Sequence, residues 1–178
     1  MVRGANVQTP DREAHTPAML LWAEALRFAD AATVLTPVND TRFRFRTPAL
    51  HLAAHSIELA MKSFLRAEGC SLEELIRLRH SLVDILAACE ARGMQALADA
   101  DGPYLGFLSE AHEQQEFRYP HLNRPPHMER EDWARLAEWA LRAAIPAVSD
   151  ATPPAGSLSG TMLARVDKVF AADHDATS

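Results

Sequence analysis

The stretch from Pro48 to Glu68 constrains this chain more than any other. After Pro48 it holds neither proline nor glycine. At about 100° per residue its side chains divide into separate sectors. Leu50, Ala53, Ile57, Met61 and Phe64 fall in one narrow sector, Leu52 and Leu59 in a second, and His51, His55, Glu58, Lys62 and Arg66 form a polar stripe between them. A helix that is apolar on two sides is covered on two sides. This segment therefore belongs at the centre of a helical assembly, with its stripe in a crevice or interface rather than in open water.

Proline, glycine and capping residues place the other elements around it. Thr16-Pro17 predicts an N-cap followed by proline at the first helical position, and Leu20, Leu21, Ala25, Phe28 and Ala32 continue at helical spacing to Thr36-Pro37. Gly69 is placed as the C′ glycine of the central helix. Ser71-Leu72-Glu73-Glu74 is a capping-box pattern opening a short helix. Leu82, Ile85, Leu86 and Cys89 mark another helix that stops at Gly93, and a further one is expected from Tyr104 to Glu116. Glu129 to Ala144 reads as a strong helix, with Glu131 and Asp132 near its positive end. Pro146, Pro153 and Pro154 predict a linker, followed by a last helix over 157–172 and a frayed end. The expected fold is all-α: an antiparallel bundle of five or six helices spanning 17–145, between a flexible segment (1–16) and a C-terminal linker, short helix and tail (146–178).

Composition excludes several alternatives. In 178 residues there are only 7 glycines and 2 cysteines, too few for glycine-rich phosphate loops or a disulfide scaffold. The P-loop, dinucleotide-binding and nucleophile-elbow patterns are missing, and no cofactor is expected. Charges at Glu24, Arg27 and Asp30 interrupt the most apolar stretch, so no membrane span is expected; with no apolar leader before Pro17, the expected location is cytoplasmic. The net charge of −6 argues against a generally basic surface, but residues 41–80 carry a local +3 and the remainder −9. Within the basic part, Arg42-Phe43-Arg44-Phe45-Arg46 interleaves cations with rings, a composition suited to single-stranded nucleic acid or to a loop of packed phenylalanines and paired arginines.

The polar stripe admits three readings. Glu58 and Lys62 have the favourable i, i+4 order of a solvated ion pair. The stripe also suits a polar pocket or a dimer seam. Finally, His51 and His55 place two imidazoles on one helix face, as a metal site requires, with Glu58 a turn away.

The run from His55 to Gly69, with Glu58-Leu59 and Lys62, resembles the E-L-x-x-K helix of the HEPN superfamily. His80-Ser81-Leu82-Val83-Asp84-Ile85-Leu86 is similar to the H-x-L-x-x-L-L of that family's next helix, and Arg118-Tyr119-Pro120 to its R-Y-P block. The three blocks occur in order, within a resemblance spanning about residues 18–145. The resemblance implies a helical bundle that forms a homodimer. It further implies either a non-catalytic module binding RNA, a nucleotide or a partner protein in a defence, toxin–antitoxin or RNA-related system, or a metal-independent endoribonuclease paired with a nucleotidyltransferase-type protein. It draws Glu58, Lys62, His80, Arg118 and Tyr119 into one candidate ligand site.

Nuclease members of the family carry R-x(4–6)-H near the start of a late helix. Here Arg118 is followed by His121 and His127 with two and eight residues between, outside that spacing. Arg46 and His51 have the spacing but straddle the start of the central helix. Arg118, His121 and His127 are thus the catalytic candidates, and need a folded-back loop or a dimer seam to meet. Histidine-based metal binding through His51 and His55 is a further alternative.

Overall fold

The computed structural model describes residues 16–36, 45–114, 117, 128–153 and 158–175. Among them are seven α-helices and no strand: six begin within the span expected for the bundle, and the seventh is the C-terminal helix. They are α1 (Ala18–Leu35), α2 (Arg46–Ala67), α3 (Leu72–Arg77), α4 (Leu82–Glu90), α5 (Gly102–Glu113), α6 (Arg130–Asp150) and α7 (Ser159–Asp175). A 3-10 turn, Asp99–Asp101, leads into α5.

The central helix is α2, packed against α1, α3, α4, α5 and α6. Leu50, Ala53, Ile57, Met61 and Phe64 are all buried, and Leu52 and Leu59 pack partly buried against the same core. Each fully buried Leu or Ile of this kind contributes about 1.5–3 kcal/mol. Polar ties fix the neighbours of α2. Ser56 Oγ donates to the Ala25 carbonyl of α1 (2.8 Å), and Trp22 Nε1 donates to the Leu141 carbonyl of α6 (3.0 Å). Trp22 and Trp133 are core residues and Trp139 packs at its margin, so all three serve packing.

The helix ends follow local chemistry. At the end of α2, Gly69 has φ +87°, and the amides of Gly69 and Cys70 donate to the carbonyls of Arg66 and Leu65, the paired bonds of a left-handed C-terminal cap. Ser71 and Glu74 form the expected reciprocal capping box. Two boundaries differ from expectation. Pro17 itself occupies the N-cap position of α1, without a side-chain cap, and α2 starts two residues before Pro48.

The largest difference is at Pro146, read from the sequence as the start of a linker. Instead α6 runs through it to Asp150. Proline in a helix frees one carbonyl, but Pro146 is exposed, so water can solvate the gap, while continuing the helix buries Val148. Helix α7 is not an isolated appendage either. Met162, Val166 and Phe170 join the common core against α1 and α6, and the Arg142 guanidinium of α6 pairs with Asp167 at 2.5 Å. Among the described residues no helix is long and apolar enough to cross a membrane.

Candidate functional site

The polar stripe of α2 is neither solvated nor buried outright. His51, His55, Lys62 and Arg66 are half-buried, and Glu58 is 3% exposed. Glu58 is the centre of the arrangement. Its Oε1 accepts from Lys62 Nζ at 2.6 Å. Three imidazoles face its Oε2: His112 Nε2 at 2.8 Å, His80 Nδ1 at 3.1 Å and, at an electrostatic rather than hydrogen-bonding distance, His55 Nδ1 at 3.8 Å. Burial alone would raise the Glu58 pKa. The favourable contacts from His112, His55 and Lys62, with the Lys62 charge, override it and hold the carboxyl well below the usual carboxylate range. The group is a carboxylate throughout the physiological range.

Three elements deliver these side chains. His55, Glu58 and Lys62 share a face of α2 because they are spaced by three and four residues. His112 arrives on α5, at a position continuing the buried Leu105 and Leu108 face. His80 sits in the turn before α4. Ser109 Oγ, one turn before His112, accepts from the Leu82 amide (2.9 Å), so α5 grips the start of α4 and holds His80 beside His112, with ring centroids 5.5 Å apart. Arg79 completes the turn in the left-handed region (φ 51°), and its carbonyl accepts a second hydrogen bond from Lys62 Nζ at 2.6 Å. The His80 ring thus bonds the Glu58 carboxylate, 22 residues away.

Aromatic rings wall the cluster. Phe28 meets His55 edge-on at 4.5 Å, and His51 lies 6.4 Å from His55, 5.9 Å from His112 and 5.9 Å from Phe117. At the far end of the stripe, Arg66 turns away from the carboxylate and donates to the carbonyls of Thr16 (3.1 Å) and Cys70 (2.8 Å), closing the end of α2.

Of the residues singled out from the sequence, Glu58, Lys62, His80 and His55 therefore converge, with His51 in the ring wall beside them. Arg118, Tyr119, His121 and His127 lie outside the described residues, although Phe117, the residue before Arg118, packs 6.5 Å from the His112 ring. Arg46 is held elsewhere, in an ion pair with Glu129 at 3.1 Å. Sequence reasoning missed His112. Its signal was a histidine four residues after Leu108 and seven after Leu105, where an apolar side chain belongs.

Among the described residues, one group has the geometry to hold a metal ion. Donor atoms of His55, Glu58 and His112 all lie within 4.8 Å of one another. The same groups can also orient imidazoles for proton transfer or offer N–H donors to an anion. Comparison with protein-family models, with curated proteins and with solved structures gives no match, and the functional reading rests on this geometry.

Proposed function

We propose that the chain is an antiparallel HEPN-like bundle, a cytoplasmic homodimer, that binds RNA or a nucleotide at the cluster centred on Glu58. One observation carries the reading: a single buried carboxylate gathers Lys62, His80, His112 and His55 at a half-open rim. The carboxylate supplies one negative charge, and the cationic and imidazole groups around it outnumber it. The exposed edges of His80 and His55 offer donors to a phosphate and flat rings to a base. Arg118 and Tyr119, next in the chain after Phe117, supply the guanidinium and the ring in this reading. A nucleotidyltransferase-type protein is the proposed partner.

Anisotropy of labelled single-stranded RNA and of a labelled nucleotide, in EDTA, tests this. Binding weakened at least about tenfold in His80→Ala and in Arg118→Ala supports the site, since one lost charge-assisted hydrogen bond is worth about 1.5–3 kcal/mol. Wild-type protein that binds neither ligand ends the proposal.

A second reading, a metal-independent endoribonuclease, is favoured by the orientation of His80. Glu58 holds the ring through Nδ1, so Nε2 points away from the carboxylate on a side chain 61% exposed. A carboxylate-oriented imidazole facing solvent is what a general acid or base needs. RNA cleavage that resists EDTA and disappears in His80→Ala would select this reading; cleavage dependent instead on His121 or His127 would place the acid–base group in the segment after Phe117.

A further inference from the structure

We infer that His55, Glu58 and His112 form a binding site for a divalent transition-metal ion of the zinc and cobalt class. The inference goes beyond nucleotide binding and does not depend on it.

It starts from the crowding of imidazoles around one buried carboxylate. The Glu58 Oε1 atom is occupied by Lys62 at 2.6 Å. The other oxygen, Oε2, faces His112 at 2.8 Å, His80 at 3.1 Å and His55 at 3.8 Å. His80 Nδ1 is also 3.2 Å from Oε1, so Lys62, His80 and His112 share the carboxylate's acceptor sites while His55 Nδ1, at 3.8 Å, faces it from beyond hydrogen-bonding distance. A cation lying between His55, His112 and Oε2 engages all three, each imidazole presenting a lone pair to it.

The distances fit a coordination shell. Metal–nitrogen and metal–oxygen bonds of about 2.0–2.2 Å place neighbouring ligand atoms roughly 3–3.5 Å apart. The three donor atoms already lie within 4.8 Å of one another, so side-chain adjustments of an ångström or so close the shell. The construction suits a bundle: an imidazole and a carboxylate three residues apart on α2 are met by an imidazole from the facing α5. Two imidazoles and one carboxylate select borderline transition metals over Mg²⁺ or Ca²⁺, which take oxygen ligands.

Outer contacts hold the ligands. Lys62 fixes the Glu58 carboxylate through Oε1, and Phe28 and His51 pack on the His55 ring. His55 and His80 open the site toward solvent while Glu58 and His112 close its floor, which leaves an entry path and room for water or a further ligand. For coordination through Nε2, the His112 proton must sit on Nδ1; this is a tautomer exchange with solvent, not a redox step. Lys62 opposes the ion by charge repulsion, so neutralising it while keeping a donor to Oε1, as in Lys62→Gln, tightens binding.

The test is titration of the chelator-treated full chain with Co²⁺ and with Zn²⁺, without nucleotide, followed by calorimetry and by visible absorption of Co²⁺. One equivalent is expected to bind, raising the melting temperature. His55→Gln and His112→Gln are each expected to weaken it more than the roughly 10–100-fold lost with an outer-shell partner. If His112→Gln fails to fold, as far-UV circular dichroism would show, His55→Gln decides alone, since that ring is half-exposed. No binding by the wild-type chain overturns the proposal. So does binding that survives His55→Gln and a folded His112→Gln, because other histidines then hold the ion. RNA or nucleotide binding in EDTA is measured separately, so either reading can fail without the other.

Discussion

Replacing Glu58 by alanine should be the most damaging single change on α2. The side chain is 4% exposed and accepts from Lys62 at 2.6 Å, from His112 at 2.8 Å and from His80 at 3.1 Å. Its loss leaves the Lys62 ammonium, 12% exposed, without its counter-charge, and the His112 ring, 6% exposed, without its acceptor. Breaking a buried pair by removing one member costs about 3–5 kcal/mol. Lys62 keeps the Arg79 carbonyl, which argues for the lower end, about 3 kcal/mol. For a chain of this size that corresponds to a fall of roughly 6–12 °C in melting temperature.

Urea denaturation followed by far-UV circular dichroism measures the loss. The triple change Glu58→Leu with Lys62→Met and His112→Leu should recover most of it, because it removes the charges together. Acid provides an independent check. The Glu58 pKa is lowered in the folded state, so the unfolded chain takes up the proton first as pH falls. The contribution is complete above the ordinary carboxylate value of about 4.3 and is lost as pH falls toward the lowered folded value, by up to about 1.4 kcal/mol per pH unit. The gap between wild type and Glu58→Ala should therefore narrow below about pH 4. A Glu58→Ala cost under about 1 kcal/mol, or a gap constant to pH 2, would refute the reasoning.

Pro146→Ala should raise stability by about 1–3 kcal/mol, by restoring an interior hydrogen bond of α6; an unchanged or lower melting temperature would mean that the proline is structurally required. Cys89 is fully buried, and burial, with Cys70 nearby, pushes its thiol up to about 12, so it should resist alkylation at pH 8 until the chain is unfolded; mass spectrometry after brief iodoacetamide treatment reads this directly. Ser71→Ala should cost about 1 kcal/mol by removing the capping box of α3, measurable as a shift in the urea midpoint.

Much of this was legible in the sequence because it is local. The two apolar sectors of α2, the capping box at Ser71 and the glycine after α2 depend on residues within a turn or two of one another. Glu58 and Lys62 were legible for the same reason. That the stripe lies in a crevice followed from the two apolar sectors beside it; which groups meet Glu58 and Lys62 there did not, since the spacing on α2 says nothing of the residues that α5 and the turn before α4 bring in. His112 escaped because its partner lies 54 residues away, and only the docking of α5 on α2 reveals the contact. Pro146 misled because the rule against proline assumes a cost that burial elsewhere cannot offset, whereas here the proline is exposed and the helix beyond it buries Val148. The order Arg118, His121, His127 cannot be weighed by spacing alone, because acid–base chemistry depends on distances in space.

Arg79 adds a mechanical consequence. A non-glycine residue in the left-handed region stands uphill by roughly 1–2 kcal/mol, and the ammonium that neutralises Glu58 also tethers the carbonyl of this residue. Lys62 is thus a peg with two strings, one on a charge and one on a backbone torsion. Whatever draws it away from Glu58 slackens the turn carrying His80. In Lys62→Met, the amide resonances of Arg79 and His80 should move further than those of any other turn, and the imidazole should lose its fixed bearing on the carboxylate.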